Sequence, residues 1–435
     1  MKILLIIEQC NPEWASVPLV GYRYYQGISK FVQTTLVTHE RNRAALSKRH
    51  ADQDIIYISE SHFMAHYYQV VSRISRIGNK IIWPLHNTLT YPIYAEFDWK
   101  VFRYFKEAVA LESYDIVHAI TPMMPRYPVT LIAACQHTPF LIGPVNGGVP
   151  FPTGFRKTAM EEFAYFNFLR LVGRWIIPGY HRTYKKATKV LAGSSYTLSL
   201  LKDLFAISDD RICLFYENGI TSDFLRSDLL EQKEHNQVKL KSSEDDRIIL
   251  LFVGRLVPYK GADMIIAALD RLAPNFKARV CLRIVGDGSE RIHLENLVKA
   301  LNLTEQVEFV GWVPQAETRN YYQSSDIFCF PSVREFGGAV VLEAMASGLP
   351  CIVVNNGGIG EYVTEKTGFR IEPRSREYVI SQLKQHLEQL LENPDLRYQM
   401  SISAIERASE FTWERKIEKI LDLYQEVLAG RESPA

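Results

Sequence analysis

Several large classes are set aside by what this sequence lacks. Its six cysteines (Cys10, Cys135, Cys213, Cys281, Cys329 and Cys351) are scattered and form no CxxC pair. That pattern argues against a disulfide framework and against a zinc site. Most of them sit in apolar runs, as buried thiols of a reducing compartment do. No window holds the ~18 consecutive apolar residues that a membrane span needs. The formal net charge is +1, so there is no global electrostatic reason to expect nucleic acid as a partner. The phosphate-binding pattern ending in Gly-Lys-Ser/Thr is missing. Gly286-Asp287-Gly288 begins a dinucleotide fingerprint but places Arg291 where a third glycine is required. A D-x-D triplet, which can clamp a metal-bound diphosphate, occurs at Asp52-Gln53-Asp54. It precedes a strand, where a solvent loop is expected, and no metal site is assigned to it.

What is present is an ordinary globular balance, with 47% hydrophobic and 23% charged residues over 435 positions. That length predicts roughly two to three domains. The opening Met1-Lys2-Ile3-Leu4-Leu5-Ile6-Ile7 reads as a buried strand rather than a signal peptide, because Glu8 and Gln9 end the apolar run at once. Further strands are expected over 33–38, 55–59, 79–83, 115–120, 139–145, 189–194 and 211–216, with helices over 97–112 and 195–205 between some of them. Strands alternating with helices predict a parallel, doubly wound α/β sheet. A polar, highly charged stretch over 226–246 reads as an interdomain linker. A second α/β pattern starts at Arg247, with strands over 280–285, 307–310, 327–330 and 351–354 and helices over 261–272, 289–301, 315–324 and 338–347. The expectation is therefore two Rossmann-like domains, 1–225 and 247–411, with a cleft between them as the default ligand site.

Ligands of such sheets bind beyond the carboxyl ends of the strands. In the first half those ends are Glu8 to Gly21, His118 to Pro122, and Gly143 to Pro150. A lone histidine is more often a structural residue, but His118 lies close enough to a strand end to be a candidate. Gly143-Pro144-Val145-Asn146-Gly147-Gly148-Val149-Pro150 is rich in residues that permit close backbone approach, so Asn146, Gly147 and Gly148 are candidates for a binding wall. Residues 154–190 interleave aromatics such as Phe155, Phe168 and Trp175 with eight cations, against only Glu161 and Glu162. Two readings are open there: a peripheral contact with an anionic membrane, or a core-packing helical excursion with a solvated basic face.

In the second half, Glu335-Phe336-Gly337-Gly338 leads into an apolar helix that carries Glu343. The glycines free backbone N–H groups for a ligand, and the helix N-terminus behind them favours an anion. Two glutamates flanking such a turn can hold hydroxyls while the backbone holds phosphate. From spacing alone, a packed strand–loop–helix with two surface glutamates fits as well. Gly254-Arg255-Leu256-Val257-Pro258-Tyr259-Lys260-Gly261 tips the balance, because Arg255 and Lys260 can converge on a diphosphate. These two cations and a helix N-terminus can neutralise a leaving diphosphate without a metal or other cofactor.

Taken together, Gly254-Arg255 with Lys260-Gly261, Val285-Gly286-Asp287-Gly288, Val310-Gly311-Trp312-Val313, Pro331-Ser332 and Glu335 to Glu343 resemble glycosyltransferase family 4. The resemblance is ordered across 247–365 and looser in the first half. It implies the GT-B fold, an α/β architecture in which two Rossmann-like doubly wound domains face each other across a cleft. It also implies that the last helix, here 412–430, crosses back onto the first domain. By resemblance, Arg255 and Lys260 hold the donor diphosphate. Glu335 contacts sugar hydroxyls, with the Phe336, Gly337 and Gly338 backbone near sugar and phosphate. Glu343 binds the ribose, and Trp312 and Val313 frame the base. Gly21 and Gly286 line the donor path, His118 is the candidate first-domain catalytic histidine, and the Asn146, Gly147 and Gly148 wall falls on the acceptor side. Three positions depart from the pattern: Ile120 stands where many members carry a second histidine, Thr221 ends the Asn218-Gly219-Ile220 turn, and Gly21 lacks a paired glycine.

The implied reaction moves a sugar from a nucleotide diphosphate sugar to an acceptor hydroxyl with retained configuration. The acceptor expected is a glycan or a lipid-linked sugar on the cytoplasmic side of a membrane. Two other readings are a nucleotide-sugar epimerase or phosphorylase on the same scaffold, and a non-catalytic sugar-nucleotide binding subunit.

Overall fold

A computed structural model describes residues 1–51, 53–77, 80–226, 228–230 and 247–432. The chain divides into two compact units. The first comprises Met1–Gly148, Phe163–Glu217 and the C-terminal segment from Trp413; the second comprises Val149–Glu162 and Asn218–Thr412. Residues 149–162 and 218–225, which the sequence reading gave to the first domain, pack in the second unit. Local bonds account for this. The Val149 carbonyl accepts from Arg334 Nε at 2.9 Å, and Ile220 N–H donates to the Phe411 carbonyl at 2.9 Å. Apart from Arg226 and 228–230, the predicted linker lies outside the described residues, as does Asp52.

The first unit holds a parallel sheet of β1 (Lys2–Ile6), β2 (Gln33–His39), β3 (Ile55–Ile58), β6 (Ile116–Ala119), β7 (Phe140–Val145), β8 (Lys189–Ala192) and β9 (Ile212–Leu214). Their order is β3-β2-β1-β6-β7-β8-β9. Alternation along β1 explains its apolar run. Leu4 and Ile6 enter one core cluster, and Ile3, Leu5 and Ile7 enter the other on the opposite face. Each such aliphatic side chain contributes about 1.5–3 kcal/mol when fully buried. The strand expected over 79–83 is reduced to β5 (Lys80–Ile81), paired with β4 (Arg76–Ile77). Pro84 then starts the helix Trp83–Leu89, at the first-turn position where proline costs no hydrogen bond.

The C-terminal helix Trp413–Glu432 belongs to this first unit. Trp413 meets Tyr24 edge-on at 5.1 Å, and Ile417 fills the space where Gly27 has no side chain. Buried Lys416 gives its ammonium to the Tyr216 carbonyl.

The second unit repeats the doubly wound plan with β10 (Ile248–Val253), β11 (Val280–Val285), β12 (Val307–Gly311), β13 (Ile327–Phe330), β14 (Cys351–Val354) and β15 (Gly368–Ile371). The order is β12-β11-β10-β13-β14-β15, all parallel. The strand order reverses between β1 and β6 in the first sheet and between β10 and β13 in the second. Crevices open at such reversals beyond the carboxyl ends.

Candidate active site

In the second unit the carboxyl ends of five strands form one continuous edge. Gly311, at the end of β12, accepts from Gly286 N–H at 2.8 Å. Gly254 N–H, after β10, reaches the Val285 carbonyl at 3.0 Å, and Val333 N–H, after β13, reaches the Tyr259 carbonyl at 2.9 Å. Gly286 has φ +134°, and a Cβ there would stand 2.0 Å from the Gly254 oxygen. Only glycine permits that approach of two strand ends.

This edge carries the sequence-predicted donor residues. Lys260 follows the β10 turn and forms an ion pair with Glu335 in the β13 loop. Ser332 Oγ donates to the same Glu335 oxygen at 3.4 Å. The Lys260 ammonium also lies 4.9 Å from the Phe330 ring centroid and 5.4 Å from that of Tyr259. The side chains of Lys260 and Glu335 keep 13% and 17% of their surface exposed, so the pair is shielded but still reachable. Arg255 is exposed on the same turn and donates to Tyr259 Oη at 3.1 Å. Without ligand, the cation and the carboxylate assigned to phosphate and sugar therefore hold each other.

Phe336, Gly337 and Gly338 bring the chain to the helix Ala339–Ala346. Gly338 takes φ +55° at the helix entry, where a Cβ would lie 2.2 Å from Ile359 Cγ2. The loop is braced from β14 by Gly357 and Gly358. Glu335 bridges Gly357, and Gly358 N–H donates to the Phe336 carbonyl at 3.0 Å. The Asn355-Asn356-Gly357-Gly358 run was not singled out from the sequence, although two adjacent glycines after a strand are a usable signal.

Glu343 lies inside the helix and is 7% exposed. Tyr322 Oη donates to one carboxylate oxygen at 2.9 Å and Gln315 Nε2 to the other at 3.4 Å. Burial raises its carboxyl above the usual range, and those two donors pull it back in part. Tyr322 and Gln315 were also missed, since no sequence spacing ties them to Glu343. Trp312, three residues before Gln315, is 73% exposed, and Val313 beside it is half-buried.

The first-unit candidates are placed differently. His118 is fully buried, pairing with Tyr424 Oη at 2.6 Å through Nδ1 and with the Gly143 carbonyl at 2.8 Å through Nε2. Burial lowers it to about 4, so it is neutral near pH 7. With no exposed surface and both nitrogens occupied, His118 joins β6, β7 and the last helix and has no path to a substrate. Asn146, 1% exposed, accepts from Ser194 Oγ at 3.0 Å and Thr197 Oγ1 at 2.9 Å and donates to the Gly193 carbonyl at 3.3 Å. Gly147 N–H donates to Thr197 Oγ1 at 3.1 Å, and Gly148 packs on Leu200. The three fasten the β7 loop to the helix Ser195–Phe205 and are not an open acceptor wall. Gly21 sits within the helix Val17–Ile28, where a Cβ would lie 2.5 Å from the Gln9 carbonyl. It allows the helix to touch the segment that follows β1.

At the β1–β6 reversal the structure puts Glu8 instead. Its backbone N–H donates to Thr121 Oγ1 at 2.6 Å and its carboxylate pairs with Arg41. Burial raises this carboxyl, and Arg41 lowers it in part. Among the described residues no group of three or more His, Cys, Asp and Glu side chains is arranged to hold a metal ion. No helix among them is long and apolar enough to cross a membrane.

Residues 232–407 match the family model "Glycosyl transferases group 1". An uncharacterized glycosyltransferase of Methanocaldococcus jannaschii is 31% identical over 197 residues, 45% of this chain and 50% of that one. A D-inositol 3-phosphate glycosyltransferase of Corynebacterium diphtheriae is 31% identical over 182 residues, 40% and 42% of the two chains. The chain thus spans about half the length of the curated relatives it matches. Among solved structures, Anabaena HepE in complex with UDP has a TM-score of 0.61 at 16% identity, covering 98% of this chain and 100% of that one. WaaG, a glycosyltransferase involved in lipopolysaccharide biosynthesis, has a TM-score of 0.58 at 18% identity, with 97% and 99% covered. The fold is GT-B, with two Rossmann-like doubly wound units.

Proposed function

We propose that this protein is a glycosyltransferase that moves a sugar from a nucleotide diphosphate sugar to an acceptor hydroxyl. The observation that carries the reading is the Lys260–Glu335 pair at the β10–β13 reversal, with Arg255 on the turn beside it and the Gly338 helix entry behind it. An incoming diphosphate competes for Lys260 and takes Arg255 as a second cation. That frees Glu335 to accept hydrogen bonds from sugar hydroxyls. As the bond to the sugar breaks, negative charge grows on the diphosphate, and the two cations and the helix N-terminus stabilise it there. Glu343, oriented by Tyr322 and Gln315, receives the ribose, and Trp312 and Val313 border the base.

The finer reading is a family 4 enzyme that retains configuration and needs no metal, the donor phosphate taking the acceptor's proton on the same face. The motif resemblance supports it. A UDP-sugar is the first donor to try, because HepE was solved with UDP. The acceptor is proposed to be a glycan or a lipid-linked sugar at the inner face of a membrane, in surface polysaccharide or glycolipid synthesis. Exposed Tyr165, Phe168, Trp175 and Ile176 favour that choice, although Phe155, Tyr180 and Tyr184 of the same stretch are buried.

The test is release of nucleoside diphosphate from a panel of UDP-, GDP- and ADP-sugars. One donor is expected to be consumed, and Lys260→Ala or Glu335→Ala to stop it. A donor that binds and is never consumed would make the protein a binding subunit instead.

A further inference from the structure

The first unit contains a cavity of about 290 Å³ beneath the helix Phe168–Ile176. That is close to the lower end of small-ligand pockets, roughly 300 Å³. Its wall is largely apolar, with Tyr91, Tyr127, Val172 and Ile177, yet Arg126 and Arg170 also line it. Arg170 Nε is buried without a hydrogen-bond partner, and so is Nε of Arg174 one turn on. Neither Arg170 nor Arg174 has an ion pair among the described residues. Loss of hydration, then the like charges of Arg126 and Arg174, lower Arg170 to about 10. A guanidinium whose Nε is buried in an apolar wall without a partner, as in Arg170, is costly unless an anion joins it. Outside the cavity the same helix exposes Trp175 (85%).

We propose that this cavity binds a lipid phosphate, its chain among Tyr127, Val172 and Ile177 and its phosphate on Arg170 with Arg126. An apolar chain alone would not answer Arg170 Nε, and a free phosphate would not fill the apolar wall. The combination selects an amphiphile with an anionic head. The inference does not depend on sugar transfer.

Calorimetry on the full chain tests it, using dodecyl phosphate below its micelle-forming concentration, with dodecanol and inorganic phosphate as the other arms. Dodecyl phosphate is expected to bind at least about 10-fold more tightly than either. Arg170→Gln and the cavity-filling Val172→Trp should each weaken it by about 10-fold or more, with Arg170→Lys restoring part of the loss. Unfolding temperatures confirm that the variants fold. Trp175→Glu, on the outer face, should leave dodecyl phosphate binding unchanged while reducing flotation with anionic vesicles. The proposal is overturned if dodecanol or inorganic phosphate binds as well as dodecyl phosphate, or if nothing binds. It is equally overturned if folded Arg170→Gln and Val172→Trp both bind normally, or if Trp175→Glu abolishes binding.

Discussion

The two sheets share a plan but spend their polar residues in opposite ways. At the carboxyl edge of the second, Lys260, Glu335 and Arg255 keep surface toward solvent and are held by contacts a ligand can replace. At the edge of the first, His118 and Asn146 are closed off, and each of their polar atoms has an internal partner. A histidine or asparagine near a strand end is thus no sign of chemistry by itself. What distinguishes the two edges is whether the bonds formed within the protein leave capacity for something else.

The largest effect that would break this contrast lies in the second sheet. Lys260→Ala and Glu335→Ala should each lower sugar-donor turnover about 100-fold or more, as loss of a charge-stabilising group does. Rates measured on a donor the wild type consumes decide it, and unchanged turnover would remove both residues from the site. The reverse pattern is expected at the first edge. His118→Ala strands Tyr424 Oη and the Gly143 carbonyl, and should cost about 3 kcal/mol of unfolding free energy while turnover per folded molecule holds. Denaturant titration alongside activity would show whether the loss falls on stability or on catalysis.

A smaller effect follows from pH. His118 is held near 4 in the folded state, below the ordinary 6.5. The unfolded chain therefore takes up a proton first as pH falls. This contribution to stability is complete above pH 6.5 and is lost as pH drops through about 4. Between pH 7 and 4 the wild type should lose roughly 3 kcal/mol more than His118→Gln. Parallel acid profiles of both proteins would sink the buried, neutral histidine. The smallest change is expected at exposed Trp312, where Trp312→Ala should raise KM for the donor by about 5-fold, near 1 kcal/mol, with kcat little altered.

Much of the fold was legible because its signals are local. β-branched runs separated by helical spacing placed both sheets, including β10 to β14 nearly to the residue. The strand expected over 79–83 is shorter, Lys80–Ile81, because a short apolar run before Pro84 reads alike as a strand or a helix entry. The 149–162 segment was misassigned because its membership rests on bonds such as Arg334 to Val149 that span 185 positions.

The site divides along the same line. Sequence alone determined that Arg255, Lys260, Gly286 and the 335–343 turn belong to one strand-end edge, since each follows a strand of one parallel sheet. Tertiary structure alone decided that Lys260 and Glu335 neutralise each other, that Tyr322 and Gln315 orient Glu343, and that His118 is sealed beneath Tyr424, 306 positions away. Spacing along the chain can bring a side chain to a strand end. Whether that side chain then faces solvent, an ion partner or a buried hydroxyl depends on elements far from it in sequence.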